Sequence, residues 1–520
     1  MSSFQNTRNF PLIIERLNHE LPKEFNWWPL WTDGLSMPSF LTAVRVGIFE
    51  AVLADALSVD TLAKMVDISV RSARVFLDKM VALRLLQRDI DNNTFSCSQS
   101  YLEIHRHPKF STWISLLAKY PMTTEKYISV LTGKNVDSDV LALAEEPLLQ
   151  NILSKCLSCV TLGVADEINL FSALPSSRHN LMQHIKGTLG EISETAVDRF
   201  FLQTLTTMDV IELKDNELFS LQSWASPFVD KTSPFYKGAL IQLMMRNEPP
   251  SPEQSWNALE AERVRLGRMQ KVSIEDIEEK AINTETLMDQ STIQAENRAH
   301  EFALHMDAQG VGQDVVVART AFAPGDRVLD LAGGGGSYSI LGAAVHAHTH
   351  FRILEYRAMT AVAQQWVAHY QASGALLGQV DVAEGDMFSA TCWESLKEDF
   401  RPNKIFLSNV FHDWSLETDL KLATFAFHAL PSSGGQMILH EMPLEELSSL
   451  GSGDVKEGNA YEKSIAVGFS ECLRIWTEGT QYRRSEIVAV LTAAGFGQVD
   501  ILDGYGQGPY CIFIATKGDR

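Results

Sequence analysis

The fold of this chain is decided by the stretch Val328-Leu329-Asp330-Leu331-Ala332-Gly333-Gly334-Gly335-Gly336-Ser337-Tyr338. An apolar strand leads to an aspartate, and four consecutive glycines follow. Because glycine has no Cβ atom, a backbone built from it can approach a bound molecule closely. The stretch therefore predicts a buried strand that ends in a binding loop for a small ligand.

Strands and helices alternate on both sides of this loop, which is typical of a parallel sheet covered by helices on both faces. We predict strands at RVLDLA (327–332), HFRILEY (350–356), QVDVAEGD (379–386), KIFLSNV (404–410) and QMILHEM (436–442). In such sheets ligands bind beyond the carboxyl ends of the strands. The fold class predicted for this part is α/β, a Rossmann-like doubly wound sheet.

Three of these strand ends carry an acidic residue. Asp330 precedes the glycines, Glu355 follows them by about 20 residues, and Asp386 lies in GDMF after the third strand. A carboxylate at the position of Glu355 can accept hydrogen bonds from both hydroxyls of a ribose. A glycine turn with such an acid also describes a dinucleotide site, so this pattern alone leaves both ligands open.

The amino-terminal half contains a pattern that occurs twice. Between about Phe40 and Leu117 the periodicity predicts three helices and then two short strands, which is typical of a winged helix. A second copy follows, and its apolar positions repeat those of the first. The equivalent pairs are Phe76 and Phe201, Leu77 and Leu202, Met80 and Leu205, Leu83 and Met208, Leu86 and Ile211, and Phe95 and Phe219. We therefore predict mainly helical tandem winged-helix domains.

Charge argues against nucleic acid as a partner. The 520 residues carry a net charge of -21, and neither copy has a recognition helix rich in Lys and Arg. No apolar run of about 18 residues and no targeting segment is recognisable, so we expect a cytoplasmic protein without membrane contact.

No metal site is predicted. Cys156 and Cys159 form a C-x-x-C in a helical segment without a second ligand pair, and His346, His348 and His350 are interpreted as a solvated loop.

The predicted domains are 1–135 and 136–247 for the two winged helices, 248–300 for a helical linker, and 301–520 for the ligand-binding domain. The linker begins with Pro249, Pro250 and Pro252 and continues with alternating charges, which indicate a solvated helix.

The segment SNVFHDWS (408–415) adds a more specific signal. With it, the chain resembles class I S-adenosylmethionine-dependent methyltransferases, in particular the family of small-molecule O-methyltransferases. The resemblance covers nearly the whole chain and implies S-adenosylmethionine as cofactor and a small-molecule methyl acceptor. It also implies a homodimer, because the amino-terminal domains of that family interlock.

The resemblance also implies roles for individual residues. His412 matches the catalytic base of the family's HDW signature, and Glu441 falls on a carboxylate that orients this base. Gln481 occupies the position of a second orienting acid. The implied cofactor-binding residues are Asp330, Gly333, Gly334, Gly336, Glu355, Asp386, Met387 and Ser408. The implied residues of the acceptor pocket are Phe302, Met306, Phe469 and Cys472.

Three positions depart from the family's pattern. Ala332 replaces the first glycine of the D-x-G-x-G-x-G loop, Gln481 replaces an acid, and Ser408 stands where many plant members have a Lys. Two winged helices instead of one leave the mode of dimerisation open.

Two classes of function remain. The first is an enzyme that methylates a hydroxyl or, alternatively, a sulfur, nitrogen or carbon atom of a small metabolite. The second is a non-methylating cofactor-binding relative or a winged-helix regulator.

Overall fold

The structure is a computed structural model. It describes residues 10–19, 36–89, 92–118, 124–134, 147–214, 217–230, 232–238, 252–265, 293–444, 469–470, 473–475, 477–503 and 510–518.

A seven-stranded sheet forms the centre of the carboxyl-terminal part. Its strands are β6 (Arg327–Leu331), β7 (His350–Glu355), β8 (Gln379–Glu384), β9 (Lys404–Ser408), β10 (Gln436–Glu441), β11 (Gln498–Asp503) and β12 (Cys511–Thr516). They lie in the order β11-β12-β10-β9-β6-β7-β8. The five strands from β6 to β10 are parallel, as the alternating pattern predicts. The strand order reverses between β6 and β9, which is the switch point where such sheets bind ligands.

Strands β11 and β12 add an antiparallel hairpin at one edge, and β12 pairs antiparallel with β10. These two strands were not predicted from the sequence. Because they pair antiparallel, the sheet is mixed rather than purely parallel. β12 has the burial expected of a central strand, because it lies between β11 and β10.

Helices cover both faces of the sheet, and each face has its own apolar core. The labels α1 to α13 belong to helices of the amino-terminal part. The helices described in the carboxyl-terminal part are α14 (Ile293–Gly310), α15 (Gln313–Thr320), α16 (Ser337–Val345), α17 (Arg357–Ala372), α18 (Ala390–Asp399), α19 (Leu416–Ala429) and α20 (Arg484–Ala493). Residues from α14 to α17 fill one core, and residues from α18 to α20 fill the other. The predicted doubly wound α/β fold is confirmed.

The amino-terminal part is mainly helical. Its helices are α1 (Ser36–Val46), α2 (Ile48–Ala54), α3 (Val59–Met65), α4 (Val70–Ala82), α5 (Gln99–His105), α6 (Phe110–Ala118), α7 (Thr124–Leu131), α8 (Pro147–Glu167), α9 (Arg178–Leu189), α10 (Glu194–Ala196), α11 (Gln203–Thr207), α12 (Ser226–Val229) and α13 (Pro252–Arg265). Its strands are β1 (Leu86–Asp89), β2 (Thr94–Cys97), β3 (Ser176–Ser177), β4 (Ile211–Leu213) and β5 (Leu218–Leu221).

The same helix and hairpin arrangement occurs in residues 48–98, the first repeat, and in residues 170–222, the second repeat. Leu86 pairs with Cys97 in the first hairpin, and the equivalent Ile211 pairs with Leu221 in the second. A residue with positive φ lies two positions after the end of the helix before each hairpin, Arg84 in one repeat and Asp209 in the other. The two repeats therefore share backbone geometry as well as apolar pattern.

The helix before the hairpin differs between the two repeats. In the second, residues Val197–Leu202 form a π-helical turn between α10 and α11, where the first has the uninterrupted helix α4. The carbonyl oxygen of Phe200, in this turn, accepts a hydrogen bond of 2.7 Å from the hydroxyl of Tyr127. A π turn accommodates one extra residue, and its carbonyl groups need partners outside the helix.

Among the described residues, no helix is both long and apolar enough to cross a membrane.

Candidate active site

The glycine loop after β6 has little room for side chains. A Cβ atom on Gly333 would lie 2.7 Å from the carboxyl group of Asp330, and one on Gly335 would lie 2.3 Å from the ring of Trp366. At Gly334 a Cβ atom would meet no atom of the described residues within 4 Å, and its φ of +58° favours glycine. Gly334 thus faces open space on the side where the loop can receive a ligand.

Ala332 and Gly336 also have positive φ, +53° and +87°. At Gly336 a Cβ atom would lie 2.4 Å from Cδ1 of Ile353 on the adjacent strand. An alanine in the left-handed region costs about 1 kcal/mol relative to glycine. The loop therefore keeps its left-handed backbone conformation at Ala332, although this residue is not a glycine.

Asp330 lies under the loop and is buried. Its Oδ2 accepts a hydrogen bond of 2.6 Å from the hydroxyl of Ser339 in α16. Burial raises the pKa of Asp330 to about 7, although this hydrogen bond opposes the rise. The carboxyl group therefore joins the end of β6 to the first turns of the helix that follows the loop.

Glu355 ends β7 and holds the loop from the side. Its Oε1 accepts from the N–H of Gly334 at 2.8 Å, and its Oε2 accepts from the N–H of Tyr356 at 3.1 Å. Burial raises the pKa of Glu355 to about 7 against these two backbone hydrogen bonds. Each carboxylate oxygen has more than one lone pair, so both can still accept from a ligand.

Asp386 and Met387 follow β8. Asp386 is exposed and its Oδ1 accepts from the N–H of Phe388 at 2.8 Å, whereas Met387 is buried. The carbonyl oxygen of Met387 accepts from the indole nitrogen of Trp393 at 2.7 Å. The side chain of Asp386 thus faces solvent at the edge of the site, and the side chain of Met387 packs in the core beneath the site.

Ser408 ends β9 and lies beside His440 of β10, with 2.9 Å between Oγ and Nδ1. The ring of Tyr510 stacks on His440 at a centroid distance of 4.6 Å. Burial lowers the pKa of His440 to about 3, so its ring is neutral at physiological pH. His440 was not among the predicted site residues, because a histidine within an apolar strand gives no distinctive pattern.

His412 and Glu441 form a buried pair. His412 lies in a short 3-10 turn, Phe411–Asp413, and its Nδ1 is 2.9 Å from Oε2 of Glu441. The other carboxylate oxygen, Oε1, accepts from the N–H groups of Val410 and Phe411, each at 2.9 Å. The carboxylate therefore fixes both the imidazole ring and the backbone that carries it.

The environment of His412 favours its protonated form. Burial alone would lower the pKa of His412, but the negative charges of Glu441 and Asp413 outweigh burial and raise it above its ordinary value. The second ring nitrogen, Nε2, lies 3.8 Å from Oδ1 of Asp413, which is too far for a hydrogen bond. The ring of Phe469 packs edge-on against the imidazole with centroids 5.2 Å apart.

Gln481 lies on a segment that runs past this pair. Two residues before it, the N–H of Gly479 donates to the carbonyl oxygen of Asp413 at 3.0 Å. The side chain of Gln481 is buried, and its Nε2 has no hydrogen-bond partner among the described residues. A buried amide without a partner is unfavourable, so water or a ligand can complete its hydrogen bonding.

The predicted pocket residues are placed unequally. Phe469 contacts His412, as above, whereas Phe302 is 37% exposed on α14 and Met306 on the same helix is half-buried. Cys472 lies outside the described residues. Among the described residues, no group of three or more His, Cys, Asp or Glu is arranged to hold a metal ion.

A buried ionic network that was not predicted from the sequence lies beside the glycine loop. Arg16 donates to both carboxylate oxygens of Asp307, at 2.9 and 2.5 Å, and also to Asp314. Asp307 in turn accepts from the hydroxyl of Ser337, the first residue of α16, at 2.6 Å. The network connects the amino-terminal segment to the end of the glycine loop.

A second missed residue is Asp419 in α19. It is completely buried, and neither carboxylate oxygen has a hydrogen-bond partner among the described residues. Burial, followed by the negative charge of Glu441, raises the pKa of Asp419 to about 10. An uncharged carboxyl group therefore lies behind the His412–Glu441 pair at neutral pH.

Comparison with known proteins shows what the carboxyl-terminal part of the chain is similar to. A model of the O-methyltransferase domain matches residues 274–497, and no curated protein sequence matches the chain. Similar solved structures include human N-acetylserotonin methyltransferase in complex with S-adenosylmethionine, at 18% identity and a TM-score of 0.49 over 74% of this chain and 99% of that one. Another is an O-methyltransferase family 2 protein of Planctomyces limnophilus in complex with apigenin, at 14% identity and a TM-score of 0.47 over 94% and 96%. Residues 274–497 are therefore similar to the O-methyltransferase domain.

Proposed function

We propose that the protein methylates a hydroxyl group of a small molecule, with S-adenosylmethionine as methyl donor and His412 as general base. The observation that supports this function is the pairing of Nδ1 of His412 with Oε2 of Glu441 at 2.9 Å. A carboxylate only accepts, so Nδ1 carries the proton and the basic lone pair is on Nε2.

The residues around the glycine loop fit the cofactor. Gly334 faces open space, and the two oxygens of Glu355 retain lone pairs for the hydroxyls of a ribose. Asp330, Gly333 and Gly336 would shape the loop along the methionine part, Asp386 and Met387 would flank the adenine, and Ser408 would contact the cofactor from β9. When bound, S-adenosylmethionine supplies an electrophilic methyl group on a positively charged sulfur.

His412 would remove the proton of the acceptor hydroxyl as the methyl group is transferred. A phenol has a reference pKa of about 10, so it is protonated at neutral pH and needs a base. The raised pKa of His412 brings the base closer to the phenol and makes proton transfer more favourable. Glu441 stabilises the imidazolium ion that results, because its negative charge lies against Nδ1.

Gln481 would act on the acceptor rather than on the base. A glutamate at this position would bring a negative charge to an imidazolium, whereas the amide of Gln481 is neutral and its Nε2 donates. Since that Nε2 is buried without a partner among the described residues, an oxygen atom of the acceptor would satisfy it. Phe469 would hold the acceptor beside the imidazole, and Phe302, Met306 and Cys472 would extend the apolar wall.

We further propose that two winged-helix domains precede the methyltransferase domain and that the protein is a cytoplasmic homodimer. The shared hairpin registers of the two repeats support the duplication. The resemblance to small-molecule O-methyltransferases supports the dimer. Light scattering of the purified protein distinguishes a monomer of 57.9 kDa from a dimer.

Calorimetric titration with S-adenosylmethionine and its demethylated product tests the cofactor site. We expect the wild type to bind both ligands and Glu355→Ala to bind them at least tenfold more weakly. Glu384→Ala is the matched control, because this glutamate ends the adjacent strand β8 and forms an exposed ion pair with Arg357. Failure of the folded wild type to bind either ligand would refute the proposed cofactor.

A panel of phenols, enols, thiols and amines then tests the reaction. For a hydroxyl acceptor, His412→Gln should lower kcat at least a hundredfold and leave cofactor binding unchanged, because a general base contributes about that factor or more. Methylation of a thioether or thiol that is insensitive to His412→Gln would instead assign the S-methyltransferase activity.

A further inference from the structure

Helix α4 of the first repeat lies against the catalytic domain. In winged-helix proteins that bind DNA, the helix before the hairpin enters the major groove. Here most of that helix is buried. The buried residues are Ser72, Ala73, Val75, Phe76, Leu77, Asp78, Lys79 and Met80. Its two arginines, Arg71 and Arg74, donate to residues of the carboxyl-terminal part.

Two arginines of α4 contact the segment that contains Gln481. Nη1 of Arg71 donates to the carbonyl oxygen of Glu478 at 2.6 Å. Nη1 of Arg74 donates to Oε1 of Glu486 at 3.0 Å, and Oε2 of the same carboxylate accepts from the N–H of Arg483 at 2.7 Å. Both ends of residues 478–486 are thus attached to one helix of the first repeat.

The same segment is in close contact with the backbone of the base. Directly after Glu478, the N–H of Gly479 donates to the carbonyl oxygen of Asp413 at 3.0 Å. A Cβ atom on Gly479 would lie only 1.9 Å from the carbonyl oxygen of His412, so only glycine fits. Because the contact is this close, a displacement of Glu478 is transmitted to the 3-10 turn that carries His412.

At the positions equivalent by distance from the capping residue, the second repeat has no arginine. Arg71 and Arg74 lie two and five residues after the capping residue Ser69. Counted from the equivalent cap of the second repeat, Ser193, the corresponding residues are Thr195 and Asp198. Asp198 accepts from Nε of Arg178 at 2.9 Å, within its own repeat.

We propose that Arg71 is a positioning residue for catalysis, which holds the backbone of His412 and Asp413 through Glu478 and Gly479. This inference rests on the proposed role of His412 as base. It assigns the first repeat a part in the methyl-transfer site of its own chain, in addition to any contact between subunits. The guanidinium group acts through a backbone carbonyl, so it changes the orientation of the base rather than the binding of the cofactor.

Arg71→Met tests the proposal, because methionine keeps part of the aliphatic stem and removes the donor. Its readouts are kcat and KM for the first acceptor that the wild type methylates, and the Kd for S-adenosylmethionine. We expect kcat to fall about tenfold and the Kd to change less than twofold. Arg71→Lys retains one donor and should recover most of the lost kcat. Arg178→Met, which breaks an ion pair within the second repeat, should leave all three constants unchanged.

A measurement independent of any acceptor completes the test. With histidine labelled with ¹³C at Cε1, the signal of His412 is identified by its loss in His412→Gln. We expect this signal to shift in Arg71→Met and to stay in place in Arg178→Met. If the wild type methylates no acceptor, the proposed function fails, but the NMR comparison still decides whether Arg71 positions the ring. Equal kcat and equal His412 signals in the wild type and Arg71→Met would overturn the inference. Arg71→Gln, whose amide is too short to reach the carbonyl, replaces Arg71→Met if that variant does not fold.

Discussion

Glu441 uses its two carboxylate oxygens for two different purposes toward His412. Oε2 accepts from the imidazole at 2.9 Å, and Oε1 accepts from the backbone N–H groups of Val410 and Phe411. A carboxylate with both oxygens occupied cannot rotate without losing at least one bond. The orientation of the ring and the position of its backbone are therefore fixed by the same side chain.

Glu441→Gln should lower kcat about a hundredfold and shift the pH profile. Glu441 helps to raise the pKa of His412, and only the neutral imidazole accepts a proton. The wild-type rate therefore rises as pH increases through this raised pKa. In the variant the pKa of His412 falls, so the rise should occur at lower pH and reach a lower plateau. The pH dependence of kcat/KM checks this, and a shift of the rise to higher pH would contradict it.

Asp419→Asn should stabilise the protein, increasingly so with rising pH. The pKa of Asp419 is about 10 in the folded protein and about 3.8 when unfolded. Between these values unfolding releases a proton, so the free energy of unfolding falls steadily as pH rises above the unfolded pKa. The stability that protonated Asp419 contributes is complete below pH 3.8 and is lost as pH rises toward 10. Asparagine does not titrate and removes this loss.

Urea unfolding of both proteins at pH 5, 7 and 9 measures the effect. The difference in free energy of unfolding should increase at each step, with the variant more stable. Glu417→Gln in the same helix is the control, because its exposed pair with Lys421 is worth less than about 0.5 kcal/mol. A constant difference across the three pH values would mean that Asp419 is ionised in the native state.

The sequence predicts the centre of the site because parallel strands end at one edge of a sheet. Asp330 and Glu355 each end a strand with a clear apolar pattern, so their proximity follows once the sheet is assigned. His412 and Glu441 were assigned by resemblance. Their contact is consistent with the sheet order, since β9 and β10 are adjacent.

The residues that the sequence does not reveal depend on contacts between distant segments. Arg16 and Asp307 are 291 positions apart, and neither belongs to a recognisable motif. Asp419 lies in a helix with charged neighbours, where an acid normally indicates a solvated face. The contact of Arg71 with Glu478 likewise joins residues 407 positions apart, which local periodicity does not predict.

Two substitutions in the glycine loop should affect different properties, the first mainly cofactor binding and the second mainly stability. Gly334→Ala places a methyl group in the open space in front of the loop, at a φ that costs about 1 kcal/mol for alanine. We expect the Kd for S-adenosylmethionine to rise at least tenfold with a small loss of stability. Gly335→Ala would place its Cβ atom against the ring of Trp366, and overpacking of this kind costs about 1–3 kcal/mol.

Calorimetry and thermal unfolding of both variants separate the two effects. The first variant should show the larger change in Kd and the second the larger change in Tm. If Gly334→Ala binds the cofactor as tightly as the wild type, the open face of the loop does not contact the cofactor.

Arg16→Met should destabilise the protein by about 3–5 kcal/mol, because it leaves two buried carboxyl groups without their cation. Asp307 and Asp314 are both buried, and burial already raises the pKa of Asp314 despite the neighbouring guanidinium. Without Arg16, Asp314 would take up a proton more readily, so the loss should be smaller at pH 5 than at pH 8.

The control is Arg319→Met, an exposed arginine that donates to the carbonyl oxygen of Leu17 in the same amino-terminal segment. Its loss should cost less than about 1 kcal/mol, as is typical of exposed contacts. Because Asp307 also accepts from Ser337 at the end of the glycine loop, Arg16→Met should weaken cofactor binding as well, whereas Arg319→Met should not. Equal loss of stability in the two variants at both pH values would show that the segment contributes through its apolar contacts and not through the buried charges.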